Sequence, residues 1–167
     1  MASPGAVLAV VPTLGERTDT LGAALASIRA QEGVTTTLVV VVPPQATQAR
    51  DIAAEHGALI VDDPKRGLSA AVNVGIDAAG DEAYFSWIGD DDELRPDGLR
   101  TLVDLIERES AVVAFGACEY MAGDNRVFAV SRAGAKCNAS AKGQDAQVEV
   151  WRRSRRTACA RWWRTGG

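Results

Sequence analysis

AVLAVVPTLGERTDTLGAALASIRAQEG, residues 6–33, decides the class of the chain. Ala6–Val11 is a run of six apolar residues stopped by Pro12, the signature of a strand buried on both faces. Leu21, Leu25 and Ile28 then recur at helical spacing, with Thr18 or Asp19 placed to cap the start and Gly33 to end it. One strand followed at once by one amphipathic helix is the repeating unit of a parallel sheet.

The same alternation continues outward. Thr37–Val42 reads as a second strand ending at Pro43 and Pro44, and TQARDIAAEHG as a helix closing on Gly57. Ala58–Val61 gives a third strand, and LSAAVNVGIDAAG a helix with Ser69 as its cap and Gly80 as its stop. Ala83–Ile88 is a fourth strand, PDGLRTLVDLIERE a helix with Leu99, Leu102, Val103 and Ile106 inward, and Ala111–Ala117 a fifth strand. Right-handed crossovers then build an α/β fold with a doubly wound, mainly parallel sheet. Ligands of such sheets sit outside the carboxyl ends of the strands, where the loops PTLGER, PPQ, DDPKRG and GDDDE gather.

The 167 residues, 47% of them apolar, are enough for one core, and the net charge of −4 conceals an asymmetry. Residues 1–131 carry a net −11 and residues 132–167 a net +7. An acidic body excludes a nucleic-acid face there, because phosphate neutralisation requires clustered Lys and Arg. Cys118, Cys137 and Cys159 lack CxxC spacing and a neighbouring histidine, so neither a zinc site nor a disulfide framework is expected. The N-terminus has no basic segment before its short apolar run, and a cytoplasmic protein is expected. His56, beside the helix-ending Gly57, reads as a surface side chain, and Trp87 as core.

The charge of SWIGDDDELRPDG, residues 86–98, falls in the ligand-binding position. Asp90, Asp91 and Asp92 at a strand end offer hard oxygen ligands with room left for substrate phosphates, which suits Mg2+ or Mn2+. Such a metal neutralises the charge of a departing diphosphate. The competing reading is a solvated loop whose charge favours the N-terminus of the next helix. An EF-hand is excluded, because Leu94 would occupy the third ligand position and Gly98 comes too late. A phospho-accepting aspartate lacks a matching pair of acids after the first strand. Neither GxGxxG nor GxxxxGK[ST] occurs.

VVPTLGERTDTLGAALASIRAQ, KRGLSAAVNVGIDAA and YFSWIGDDDELRPDGL, in that order and spacing, resemble the nucleotide-sugar-binding half of family 2 glycosyltransferases with the GT-A fold, over roughly residues 5–131. The resemblance implies transfer of a sugar from a nucleoside-diphosphate donor to a glycan, lipid or protein acceptor, with Mg2+ or Mn2+. It implies nucleotide contacts from Pro12, Thr13, Arg17, Lys65, Arg66, Gly67, Asn73 and Asp90, with Asp91 and Asp92 on the metal. Gly89 stands where the first acid of the family's D-x-D motif is usual, so Asp90 or Asp91 takes over the donor contact. Pro43 and Pro44 replace the aspartate that commonly reads the base, and Val72 stands where an arginine often precedes the asparagine.

The family's general base lies beyond the D-x-D loop, and after Ser131 this chain changes composition. Residues 132–167 hold three of the four tryptophans and no leucine, isoleucine or phenylalanine. They are expected to form a separate, atypical basic tail, disordered or produced by a frameshift near Gly134, which leaves a truncated transferase or a non-catalytic nucleotide- and metal-binding remnant. The alternative is a peripheral membrane helix that places Trp151, Ala158 and Trp162 on one face among Arg152, Arg153, Arg155, Arg156, Arg161 and Arg164.

Overall fold

The computed structural model describes residues 5–78, 80–121, 127–130, 134–136 and 149–152. In chain order the elements are β1 (Ala6–Pro12), α1 (Thr18–Arg29), β2 (Thr35–Val42), α2 (Thr47–Glu55), β3 (Leu59–Asp62), α3 (Leu68–Asp77), β4 (Tyr84–Trp87), α4 (Gly98–Arg108) and β5 (Val113–Phe115). Four short strands follow: β6 (Glu119–Met121), β7 (Val127–Val130), β8 (Gly134–Lys136) and β9 (Glu149–Arg152).

The main sheet runs β3-β2-β1-β4-β9-β5-β8, while β6 and β7 pair separately. Its first four strands are parallel, with Val10 opposite both Val39 and Trp87. The chain steps outward from β1 through β2 to β3, then crosses back to lay β4 on the other side of β1. The order therefore reverses between β1 and β4, and the crevice of an open α/β sheet forms at such a reversal.

The alternation of β1 explains its unbroken apolar run. Ala9 and Val11 pack with Leu21, Leu25 and Ile28 of α1, and Val7 with Leu99, Leu102 and Ile106 of α4. Leu8 and Val10 face the opposite side, against Ala71, Val72 and Ile76 of α3. Each such fully buried Leu or Val stabilises the fold by roughly 1.5–3 kcal/mol. Contact on the α3 side is closest at Gly75, where a Cβ would lie 2.4 Å from Val10 Cγ1. Trp87, expected in the core, is partly buried against the α3-side cluster.

Several local expectations are corrected. The N-cap of α1 is Arg17, with neither Thr18 nor Asp19 in that place, and the helix ends at Arg29, ahead of Gly33. The N-cap of α3 is Gly67 instead of Ser69, because a backbone at φ 90° turns the chain into the helix there. That helix ends at Asp77, before Gly80. His56 forms the C-cap of α2, and its carbonyl accepts from Arg29 Nε at 2.8 Å.

β9 lies between β4 and β5, antiparallel to both, with Trp151 opposite Phe85 and Val113. Its fully buried Val150 joins Val7, Tyr84, Leu99 and Ala114 in the core. Burial of that side chain explains why a short segment of mixed composition becomes a strand. Trp151 and Arg152 thus belong to a sheet and not to a membrane-surface helix. Residues 134–136 and 149–152, expected in a separate tail, are strands of the main sheet. The other tail residues named above, with Cys137 and Cys159, lie outside the described residues. Among the described residues no helix is long and apolar enough to cross a membrane.

Candidate functional site

At the reversal point, the loops after β1 and β4 are tied together. The Thr13 amide donates to the Val41 carbonyl at 2.9 Å, and the Ile88 amide to the Val10 carbonyl at 3.0 Å, so the parallel pairing sets where both loops depart. Thr13 is buried, and its Oγ1 donates to Asp90 Oδ2 at 2.6 Å while accepting from the Gly15 amide at 3.0 Å. Thr20 Oγ1 donates to the Asp90 carbonyl at 3.0 Å.

Arg17 spans the two neighbouring carboxylates, with Nη1 at 2.5 Å from Asp91 Oδ2 and 3.5 Å from Asp90 Oδ1. The Asp90 side chain is 14% exposed, against 47% for Asp91 and 58% for Arg17. An exposed pair of the Arg17–Asp91 kind contributes about 0–1 kcal/mol, so either partner is cheaply released to a ligand.

Thr13, Arg17 and Asp90 line a cleft of about 700 Å³ together with Pro12, Leu14, Pro43, Gln45, Asp63, Lys65, Gly67 and Leu68. Lys65 occupies the left-handed region at φ 54°, and its amide is held by Asp63 Oδ1 at 2.9 Å. Such a conformation is strained for a residue with a side chain and is maintained here by the Asp63 bond. Gly67 places the N-terminus of α3 at the same cleft.

Of the residues singled out from the sequence, Pro12, Thr13, Arg17, Lys65, Gly67 and Asp90 line this cleft, and Asp91 joins them through Arg17. Arg66, Asn73 and Asp92 are not in its lining. Asn73 lies within α3, and its buried Oδ1 has no hydrogen-bond partner among the described residues. The sequence reading missed Thr20, Gln45 and Asp63. Asp63 opens a loop already expected at the ligand end, whereas Thr20 reaches Asp90 from a sequence distance of 70 residues and leaves no local signal.

The acidic loop can be tested for a cation at Gly89. A Cβ there would meet Asp92 Oδ2 at 2.7 Å and Asp91 Oδ1 at 3.1 Å, so the two carboxylates converge over the missing side chain. Burial and then the adjacent Asp91 charge push the Asp92 carboxyl above its ordinary value. A small divalent cation would relieve that repulsion, and two carboxylates fit Mg2+ or Mn2+, which share coordination with water and phosphates. Among the described residues no group of three or more His, Cys, Asp or Glu is arranged to hold a metal unaided.

A second hollow, about 570 Å³, opens at the other end of the same strands, lined by Gly33, Tyr84, Arg100, Asp104, Glu107 and Arg152 among others. Its charges are paired with one another: Arg100 Nε with Asp104 Oδ2 at 2.7 Å, and Arg152 Nη2 with Glu107 Oε1 at 3.1 Å. Tyr84 donates its hydroxyl to the same Glu107 oxygen.

Comparison with protein families matches residues 8–164 to the family described as glycosyl transferase family 2. Comparison with curated proteins finds no match. Among solved structures, the mannosyltransferase PcManGT from Pyrobaculum calidifontis, in complex with GDP-Man and Mn2+, aligns with a TM-score of 0.56 at 21% identity, over 64% of this chain and 34% of that one. A fragment of S. aureus TarS in complex with UDP-GlcNAc aligns at 0.54 and 17% identity, over 64% and 32%. Glucosyl-3-phosphoglycerate synthase from Mycobacterium tuberculosis, with Mn2+, UDP and glucosyl-3-phosphoglycerate, aligns at 0.50 and 19%, over 65% and 42%. At these identities the likeness is one of fold, and the chain covers less than half the length of these structures.

Proposed function

The chain belongs to glycosyl transferase family 2, and we propose that its cleft binds the nucleoside diphosphate of an activated sugar, together with Mg2+ or Mn2+, for transfer to an acceptor hydroxyl. The observation that carries this reading is the union of Thr13, Arg17, Asp90 and Asp91 at the point where the strand order reverses. In that transfer the bond from the anomeric carbon to the diphosphate oxygen breaks, a bond to the acceptor oxygen forms, and the acceptor proton passes to a base.

The diphosphate lies between Lys65, Arg17 and the N-terminus of α3. The first amides of a helix lack intrahelical acceptors and favour an anion. Asp90, already fixed by Thr13, would contact the donor, and Asp91 and Asp92 would hold a cation, which when bound supplies charge neutralisation for a leaving diphosphate. Because Arg17 pairs with Asp91 at an exposed position, a phosphate could compete for the guanidinium, and Asp91 would then be available as a metal ligand. Gln45 and Asp63, which line the cleft on the loops after β2 and β3, would contact the base in the absence of the usual aspartate.

Calorimetric titration with UDP and with GDP, each with and without Mn2+, tests this reading, repeated on Asp91→Ala. Binding strengthened at least tenfold by Mn2+, with the gain abolished in Asp91→Ala, is the expected result. Absent or metal-independent binding overturns the donor-site assignment. Binding of this kind with neither sugar transfer nor donor hydrolysis supports the second reading, a protein that binds donor without turnover.

A further inference from the structure

Helix α1 and the residues just outside its two ends meet the acidic loop and the turn after it through four polar side chains. Arg17, Thr20, Ser27 and Gln31 are separated by 3, 7 and 4 residues, the spacing that returns to the same side of a helix. Arg17 and Thr20 reach Asp91 and Asp90 at the cleft. Ser27 stands ~15 Å further along the axis than Arg17 at the ordinary helical rise. There Ser27 Oγ accepts from the Leu94 amide at 3.0 Å while donating to the Ala24 carbonyl at 2.7 Å.

Gln31 completes the contact. Its Nε2 donates to the Arg95 carbonyl at 2.8 Å and to the Ser27 carbonyl at 3.1 Å, and its Oε1 accepts from the Leu99 amide at 2.9 Å. The Glu32 amide adds a bond to the Pro96 carbonyl at 2.8 Å. Leu99 lies in the first turn of α4, whose N-cap Asp97 makes no side-chain cap bond. Gln31, two residues past the end of α1, therefore supplies the acceptor that α4 does not provide for itself.

We propose that Ser27 and Gln31 are positioning residues for the donor and its metal: they fix the backbone after Asp92 so that the Asp91 and Asp92 carboxylates converge over Gly89. This rests on the donor-site reading above. Leu94 is two residues from Asp92, so its bond to Ser27 limits where the preceding carboxylates can point. Coordination tolerates little displacement, and a shift of about 1 Å is enough to weaken it strongly. Neither side chain touches the cleft, so their loss leaves the metal-free contacts of Thr13, Arg17 and Lys65 in place.

The test compares UDP binding with and without Mn2+ in the unaltered protein, Ser27→Ala, Gln31→Ala and Gln31→Glu, with amide exchange followed at Leu94 and Leu99. In Gln31→Ala the Mn2+ enhancement falls at least fivefold, metal-free UDP affinity stays within twofold, and Leu99 exchange accelerates at least tenfold. Ser27→Ala shows the same pattern at Leu94. Gln31→Glu keeps the acceptor for Leu99 but loses the donor to Arg95, and gives an intermediate loss without risk to the α4 cap. Parallel loss of both affinities indicates a merely structural role and overturns the proposal, as does an unchanged enhancement. If Mn2+ has no effect on the unaltered protein, the donor-site reading itself fails and takes this proposal with it.

Discussion

Two hollows of comparable size, about 700 and 570 Å³, sit at opposite ends of the same strands, and their chemistry differs. At the N-terminal end the ionic partners close on one another: Arg100 takes Asp104, and Glu107 takes Arg152 and the Tyr84 hydroxyl. At the C-terminal end Arg17 is shared between two adjacent carboxylates, Lys65 is held in a strained turn, and Asp91 and Asp92 crowd over Gly89. Like charges held together and a guanidinium divided between them are an arrangement that a ligand would complete. Matched pairs form a surface that needs none. Volume alone does not separate the two, whereas the residual imbalance of charge does.

The contrast breaks most completely through α3, which supplies Leu68 and Ala71 to the C-terminal cleft and nothing to the opposite hollow. Gly75→Ala drives a methyl into Val10, and overpacking of a rigid, buried β-branched neighbour costs about 3 kcal/mol. Chemical denaturation should show that loss, and nucleotide affinity should fall with it as α3 shifts. Retained stability would mean that the contact between α3 and β1 is looser than described.

An intermediate effect belongs to the other end. Burial first, and then the bond to Glu107, push the Tyr84 phenol from 10.0 up to about 12. The folded state keeps this proton longer than the unfolded chain, so its contribution is complete below pH 10 and is lost as the pH rises toward 12. Two units correspond to about 2.7 kcal/mol, or about 2 kcal/mol once the remaining solvent contact is allowed for. Stability measured against pH for the unaltered protein and Tyr84→Phe should converge by that amount between pH 10 and 12, with nucleotide binding at pH 7 equal in both. A loss of binding in Tyr84→Phe would tie the two ends together.

The smallest effect sharpens the contrast further. Arg100→Ala removes an exposed pair spaced i, i+4 and should change stability by less than about 0.5 kcal/mol. Its nucleotide affinity should be unchanged by calorimetry.

What could be read from sequence followed from local signals. Ala6–Val11 and the apolar end of β2 announced strands buried on both faces, and the acids after β4 announced a loop at the C-terminal ends of the strands. Helix starts were misread because the short polar residues expected to cap them do not; backbone geometry at Gly67 performs that task for α3. β9 escaped because its apolar pair, Val150 and Trp151, is set among arginines and acquires meaning only beside Phe85 and Ala114. Ser27 and Gln31 were equally silent, since their partners lie 64 to 68 residues away.

The position of β9 also bears on how the chain is made. It is the latest of the described strands in sequence, yet it lies inside the sheet, between β4 and β5. On a ribosome adding about 5–20 residues per second, roughly 3–13 s separate the emergence of β4 from that of its partner β9. Through that interval β4, and β5 once it has emerged, lack the partner strand β9, so a nascent chain is open to mispairing until residue 152 has emerged.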